Sequence, residues 1–229
     1  MLADVYRQKV VGYARLCSHF GLPNVRGSVA DPNCRSRTSQ RLTPLARNGY
    51  LAKARYYDSL SEQLRDGWYI TQRGLNVLKR HRYQTIERVT PPSPAYFEHS
   101  IRTAEMMDAV VAEGGGGWLT ERELPKIKAF NRRINWRPDA AWAPPTAGSE
   151  PVAYELDLGH YNSGTIREKL AGFNNQSTFQ EMVWVVPDDR RAHQVRRLVA
   201  NARISKSQSV QVRSLRDIGV SPPNVESAA

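Results

Sequence analysis

Three carboxylates and a lysine are spaced along the chain in a way that could form a metal site. Asp139 ends a polar turn, and Glu155 and Asp157 lie two positions apart in an apolar run. Because side chains alternate along a strand, Glu155 and Asp157 are predicted to point to one face of a sheet. Lys169 follows on a predicted helix. This pattern predicts an acidic cluster with one cation beside it.

The chemistry of such a cluster is metal-assisted attack on a phosphate. Mg²⁺ takes oxygen ligands and keeps several waters, so Asp139 and Glu155 are the candidate metal ligands. A bound metal can activate water, and Lys169 would stabilise the developing negative charge. The candidate catalytic set is therefore Asp139, Glu155, Asp157 and Lys169. Asp157 fits poorly, because it places an acid where a nuclease would need a cation.

The elements predicted for the second half of the chain would bring these residues together. They alternate after three opening strands, which favours a mixed α/β sheet. In chain order we predict a helix over 95–112, strands over 118–120, 140–142 and 152–158, a helix over 163–173, a strand over 182–186, a helix from Asp188 or Asp189 to about 202, and a strand over 210–212.

The first half has a different pattern. Apolar spacing predicts a helix over 3–20 and a short helix over 39–47. Two aromatic strand segments follow, with Asp66-Gly67 as the turn between them. Thr71 is the predicted N-cap of the next helix. Helix, helix, strand, wing, strand and helix is the order of a winged helix-turn-helix.

The charge of the chain is large and uneven. The net charge is +11, and roughly +10 of it lies in residues 1–90. Such an excess favours a polyanionic partner, and double-stranded DNA is the first candidate. A winged helix places its second helix in the major groove. The candidate DNA-binding residues are Arg35, Arg37, Gln40, Arg41, Arg47, Lys53 and Arg55. The alternative is a solvated basic face on a protein-binding module.

Composition also predicts the domain organisation and the compartment. The Pro-rich segment 91–94 separates a predicted domain over 1–90 from a second over 95–215, with a tail over 216–229. We find no signal peptide and no apolar run long enough for a bilayer. Cys17 and Cys34 show no metal-binding spacing. A cytoplasmic protein without a membrane partner is expected, and a homodimer is one alternative.

These segments resemble known families. Residues 91–187 resemble the PD-(D/E)xK nuclease-like fold: Pro138-Asp139 matches its first motif, and Glu155-Leu156-Asp157 matches its second, with Asp157 in place of the lysine. The whole chain resembles the replication-relaxation family of plasmids and other mobile elements, whose members join a winged helix to such a domain. The matching segments are Leu42 to Leu51, Tyr69-Ile70-Thr71-Gln72-Arg73-Gly74, Glu98-His99-Ser100, Arg137-Pro138-Asp139, Tyr154-Glu155-Leu156-Asp157 and Lys169-Leu170.

The resemblance implies a DNA-binding protein of replication, relaxation or mobilisation. In that role a degenerate nuclease-like domain would position a relaxase or a replication protein, and no catalysis would be needed. The first alternative is a Mg²⁺-dependent endonuclease or nickase that uses Asp139, Glu155 and Lys169. The second alternative is a transcriptional regulator.

Other side chains are further candidates. His99 and His160 could join the acidic cluster, although a packed or exposed histidine is the simpler interpretation of each. Trp136 could stack against a base of single-stranded nucleic acid. The pairs Arg190-Arg191 and Arg196-Arg197 could extend a DNA track or form a solvated face.

Overall fold

A computed structural model of the chain describes residues 1–8, 10–12, 32–81, 91–124, 127 and 136–220. These residues form two compact units, one from Met1 to Ala104 and one beginning at Glu105. Within the described ranges the fold is mixed α and β, with two sheets and six α-helices. None of the helices described is long and apolar enough to cross a membrane.

The first unit consists of a small sheet with helices packed on it. Its elements are α1 (Leu2–Gln8), β1 (Val10–Gly12), α2 (Pro32–Arg47), β2 (Leu51–Asp58), β3 (Gln63–Ile70) and α3 (Gln72–Arg80). The three strands are antiparallel in the order β1-β3-β2. Val5, Leu42, Leu51, Ile70 and Leu78 form the core of this unit, so one apolar residue of each of these helices reaches the sheet.

Three sequence predictions for this unit are wrong in detail. The first helix ends at Gln8, and β1 follows where more helix was expected; residues 13–20 lie outside the described part. Helix α2 begins at Pro32, because proline suits the first turn of a helix. Asp66-Gly67 is not a turn but lies within β3, opposite Arg55 and Ala54.

The turn between β2 and β3 lies instead at residues 59–62, and Asp58 holds it. Oδ1 of Asp58 accepts from the Leu60 N–H at 3.3 Å, and Oδ2 accepts from the Ser61 hydroxyl at 2.6 Å. Glu62 takes a φ of 54°, which is uncommon for a residue other than glycine. An aspartate side chain therefore organises a turn that contains no glycine.

The predicted start of α3 is confirmed. Thr71 is its N-cap, and its hydroxyl oxygen accepts from the Gly74 N–H at 3.2 Å. A Cβ on Gly74 would lie 2.2 Å from the carbonyl oxygen of Tyr50. The start of α3 can therefore approach Tyr50, the residue before β2, only because residue 74 has no side chain.

Helix α4 (Pro94–Gly114) follows the Pro-rich segment. Phe97 and Ile101 in its first turns pack with Tyr56 of β2. Arg102 donates to Asp58 at 2.5 Å, and Glu98 accepts from the backbone and hydroxyl of Ser59. The division between the units falls later than the predicted linker because these turns belong with the first sheet.

The second unit consists of a five-stranded sheet with the predicted order of elements. They are β4 (Gly117–Thr120), β5 (Ala140–Ala143), β6 (Val152–Leu156), α5 (Ser163–Asn174), β7 (Glu181–Val186), α6 (Asp189–Ala200), β8 (Ser209–Ser214) and a 3-10 turn (Arg216–Ile218). The strand order is β4-β5-β6-β7-β8, antiparallel from β4 to β6 and parallel from β6 to β8. Ile218 and Val220 are buried, so the predicted tail begins too early; residues 221–229 lie outside the described part.

Helices α5 and α6 pack on one face of this sheet. Ile166 and Phe173 of α5 and Val195 of α6 pack against Trp184 of β7 and its neighbours. Asp188 caps α6, as predicted, by accepting from the Arg191 N–H at 2.7 Å. Side chains at the ends of these strands, on the face that is covered, therefore lie next to residues of both α5 and α6.

Candidate functional site

Glu155 and Asp157 lie at the carboxyl end of β6, at the side of the sheet covered by α5 and α6. Both side chains are 0% exposed. Strand β6 ends at Leu156, but the Asp157 N–H donates to the Val185 carbonyl at 2.9 Å and continues the parallel pairing. Glu155 contacts a residue of α5 and Asp157 contacts a residue of α6. Both acidic side chains therefore point to the face of the sheet that α5 and α6 cover, as their spacing predicted.

Asp139 comes to the same place from the neighbouring strand. It directly precedes β5, whose first residue Ala140 pairs with Tyr154 of β6. The Leu156 N–H donates to Oδ2 of Asp139 at 2.9 Å, which fixes this carboxylate beside the strand that carries Glu155. Two of the three predicted acids therefore lie beside each other, Asp139 just before β5 and Glu155 in the adjacent strand β6.

Lys169 joins the cluster from α5 through an ion pair with Oε1 of Glu155. Its ammonium nitrogen also lies 4.9 Å from the ring centroid of Tyr161. Burial opposes the charged form of this lysine, but the carboxylates of Glu155, Asp139 and Glu121 outweigh it and raise the pKa of Lys169 above its ordinary value of 10.5. The cluster therefore contains a lysine that is charged at neutral pH.

Asp157 has a different environment from the other two acids. Arg191 of α6 donates to its Oδ2 from Nε at 2.9 Å and from a terminal nitrogen at 2.6 Å. Its Oδ1 accepts from the backbone N–H groups of Gly159 at 2.8 Å and Tyr161 at 3.3 Å. Four donors thus surround this carboxylate, and their contacts order the loop after β6.

Sequence reasoning missed the roles of Arg191 and Tyr161 in this site. Arg191 also donates to the Tyr161 carbonyl, so the same guanidinium joins Asp157 and the loop. The Tyr161 ring packs edge-on against Trp184, with 6.4 Å between centroids. Burial, together with the nearby Asp139, Glu155 and Asp157, raises the pKa of the Tyr161 phenol, which stays protonated. The available signal was the position of Arg191 in the first turn of a helix that follows a parallel strand.

His160, His99 and Trp136 are the other residues that the sequence suggested for a site, and each has a different environment. His160 is exposed on the loop after β6. His99 lies in α4 within the first unit, where its carbonyl accepts from the Thr103 hydroxyl at 2.8 Å. The prediction that Trp136 could stack with a base is wrong: it is 8% exposed and packs edge-on against Phe173 and Phe179 at 5.6 and 6.2 Å.

The chemistry of this donor set can be compared with the needs of a metal. Among the described residues no group of three His, Cys, Asp or Glu is arranged to hold an ion. Mg²⁺, however, is commonly held by one or two carboxylates and its own waters. Asp139 and Glu155 supply two such carboxylates, with Lys169 beside them. Asp139 and Glu155 are therefore the residues that could hold such an ion.

In the first unit, the predicted DNA-binding residues lie on α2 and on β2. Gln40, Arg41 and Arg47 are exposed on α2. Arg35 and Arg37 belong to the same helix, but their side chains lie outside the described part. Lys53 and Arg55 are exposed on β2.

The open face of the β2-β3 hairpin carries these strand cations next to an acid and an apolar pair. Asp66 lies 2.7 Å from Lys53 and 3.8 Å from Arg55. Tyr57 and Leu64 face each other across the strands and are 55% and 68% exposed. The face is therefore less positively charged than its lysine and arginine suggest.

Comparison with known proteins identifies the family. The family model described as replication-relaxation matches residues 23–184. The chain therefore belongs to the replication-relaxation family, as the resemblance of its motifs predicted. No curated protein and no solved structure matches the chain.

Proposed function

We propose that this chain is a DNA-binding protein that acts in the replication, relaxation or mobilisation of a plasmid or another mobile element. Membership of the replication-relaxation family suggests this setting. The observation that carries the proposal is the exposed polar and basic surface of α2, formed by Gln40, Arg41 and Arg47, directly before the β2-β3 hairpin.

The order of elements supports a winged-helix interpretation of the first unit. Helix α2 precedes an antiparallel hairpin, and β1 pairs on the far side of β3 to complete the sheet. In such a module the helix before the hairpin enters the major groove of DNA. Because Asp66 lies beside Lys53 and Arg55, the arginines of α2 are the stronger candidates for phosphate contacts.

Fluorescence anisotropy with a labelled DNA duplex over a series of salt concentrations tests this assignment. Arg41→Ala should weaken binding and lower the slope of log K against log salt by about 0.9, the value for one lost phosphate contact. Arg80→Ala, which removes the same charge from an exposed position at the end of α3, is the matched control. An Arg41→Ala slope equal to that of the wild type would remove α2 from the proposed interface.

For the second unit we propose a degenerate PD-(D/E)xK-like domain that positions a relaxase or a replication protein. Arg191 and two backbone N–H groups occupy Asp157, so the position where a nuclease would have its strand lysine holds a structural acid. Lys169 is engaged with Glu155. These contacts support a scaffold role.

A metal-dependent nickase is the second candidate, favoured by the convergence of Asp139, Glu155 and Lys169. Asp139 and Glu155 would hold Mg²⁺, which supplies Lewis-acid chemistry when bound. Lys169 is protonated and could bind a phosphate oxygen if it moved from Glu155 to the substrate. The cation would then come from helix α5, and not from the end of strand β6, where a nuclease has its lysine.

Incubation of the protein with supercoiled plasmid and Mg²⁺ or Mn²⁺ separates the two candidates. A nickase should convert supercoiled to open-circular DNA, and Asp139→Ala and Glu155→Ala should each abolish the conversion. Glu150→Ala, at an exposed loop position, should leave it intact. Intact plasmid in the presence of DNA binding would exclude the nickase and leave the scaffold role.

A further inference from the structure

A second basic surface lies in the second unit, far along the chain from α2. Between residues 190 and 216 the sequence contains eight arginines and lysines and no aspartate or glutamate. They are Arg190, Arg191, Arg196, Arg197, Arg203, Lys206, Arg213 and Arg216. All except Arg191 are exposed. Such a run attracts polyanions because its like charges add up to a positive potential at the surface.

One residue of this run, Arg203, lines a cleft together with a cation from α5. A cleft of about 330 Å³ lies where α5 and α6 end, and it is lined by Arg167 of α5 and by Arg203, which follows α6. Asn174, Asn175 and Asn201 line it as well. Two cations from separate elements thus meet beside amide groups that can donate to phosphate or sugar oxygens.

Neighbouring cations extend the cleft along α6. The Asn201 amide donates to the Arg197 carbonyl at 2.8 Å, which places Arg197 one turn before the cleft. Lys206 lies three positions after Arg203 in the loop. Arg196 has a structural partner instead, because it donates to the Val212 carbonyl of the edge strand β8 at 3.0 Å. We define the C-terminal basic cleft as Arg167, Arg197, Arg203 and Lys206.

We propose that the C-terminal basic cleft binds the sugar-phosphate backbone of double-stranded DNA, as a contact separate from the one proposed for α2. The contact is independent of sequence, because it uses charge and amides on exposed side chains. Arginine suits this role since its planar guanidinium binds phosphate through two hydrogen bonds. The inference shares its partner with the proposed function, but none of its residues.

Two contacts on one chain change how the protein holds DNA. Where both contacts engage one duplex, the second contact forms within the same complex, so the combined affinity exceeds that of either contact alone. Weakening either contact then lowers the affinity of the whole chain without abolishing it.

The test uses the full chain and a labelled duplex of arbitrary sequence over a series of salt concentrations. The triple variant Arg167→Ala, Arg197→Ala, Arg203→Ala should lower the salt slope by up to about 2.7, or about 0.9 for each lost phosphate contact. Its midpoint of urea unfolding should match that of the wild type, because all three side chains are exposed. This midpoint shows that any loss of binding is not a loss of folding.

The matched control is the triple variant Arg80→Ala, Arg190→Ala, Arg216→Ala. It removes the same charge from exposed positions that do not line the cleft, and two of them adjoin Asp189 and Asp217 in the sequence. A smaller change of slope in this control supports the cleft. Equal changes in the two triple variants, or no change in the cleft variant, would overturn the inference.

The same measurements separate this inference from the proposed function. If the cleft variant lowers the slope while Arg41→Ala leaves it unchanged, the result supports DNA binding by the cleft and contradicts DNA binding by α2. If Arg41→Ala lowers the slope while the cleft variant leaves it unchanged, the result supports DNA binding by α2 and contradicts DNA binding by the cleft.

Discussion

Arg191 binds Asp157 through two nitrogens of its guanidinium, at 2.9 and 2.6 Å, across 34 positions of sequence. The carboxylate is 0% exposed, and the same arginine reaches the Tyr161 carbonyl. This ion pair joins the end of β6 to the start of α6. The contacts of Asp157 therefore hold this end of the sheet, the following loop and α6 together.

The first prediction concerns the stability that this pair provides. Arg191→Ala should destabilise the second unit by about 3–5 kcal/mol, because it leaves a buried carboxylate without its cation. Urea unfolding monitored by tryptophan fluorescence would measure the loss. Arg190→Ala, one position earlier and exposed, should change the free energy of unfolding by less than about 0.5 kcal/mol. Equal effects of the two substitutions would show that Asp157 does not depend on Arg191.

The second prediction concerns Lys169 at alkaline pH. Its pKa is raised in the folded protein, so its ion pair stabilises the fold fully below the ordinary pKa of 10.5. That contribution is lost as the pH rises through the higher pKa of the folded state. Unfolding measured from neutral to alkaline pH should therefore show a gap between wild type and Lys169→Met that is steady up to about pH 10.5 and closes above it. A gap that stays constant would contradict the raised pKa.

The third prediction concerns Asp58 in acid. Burial opposes its charge, but hydrogen bonds from Ser61 and Arg102 and the nearby Arg65 lower the pKa of Asp58 below its ordinary value of 3.8. A lowered pKa stabilises the fold above 3.8 and loses that effect as the pH falls through the folded value. Asp58→Asn should thus be less stable than wild type at pH 7, by about 3 kcal/mol.

The pH dependence provides the check on Asp58. The difference between wild type and Asp58→Asn should narrow as the pH falls below 3.8, because the wild-type carboxyl becomes neutral as well. Urea unfolding of both proteins at a series of acid pH values would measure it. A difference that is the same at pH 7 and in strong acid would show that shape, and not charge, makes residue 58 important.

The fourth prediction concerns Gly74. Alanine there would place its Cβ 2.2 Å from the Tyr50 carbonyl and 2.8 Å from the Ile70 side chain, so the start of α3 must shift away from both residues. Gly74→Ala should lower the stability of the first unit by about 1–3 kcal/mol or more. Gly117→Ala is the control, because a Cβ at that position meets nothing within 4 Å. Thermal unfolding of the two variants would show a clear fall in melting temperature for Gly74→Ala alone.

Local signals allowed much of the second unit to be predicted from sequence. The strand predicted over 182–186 is found at Glu181–Val186, and the cap predicted at Asp188 or Asp189 is at Asp188. Apolar runs and capping side chains act within a few residues of one another, so a single sequence records them.

The errors arose where distant residues decide the structure. Asp66-Gly67 has the sequence of a turn, yet both residues pair with β2, because Asp58 and α4 fix the turn at residues 59–62. Trp136 has Arg137 beside it in sequence, but Phe173 and Phe179 enclose it. The partnership of Asp157 with Arg191 was equally beyond local reasoning. Rules based on the spacing of residues along the chain do not predict contacts between residues that are this far apart in sequence.

The anchored turn of the β2-β3 hairpin has a consequence for association. Asp58 is bound to Arg102 and Ser59 to Glu98, so this turn is already in place before any partner arrives. Ordering a loose loop on binding costs roughly 0.5–1.5 kcal/mol for each flexible side chain that is immobilised. A rigid hairpin would avoid most of that entropy loss, and it holds the exposed side chains of Tyr57 and Leu64 in a fixed arrangement.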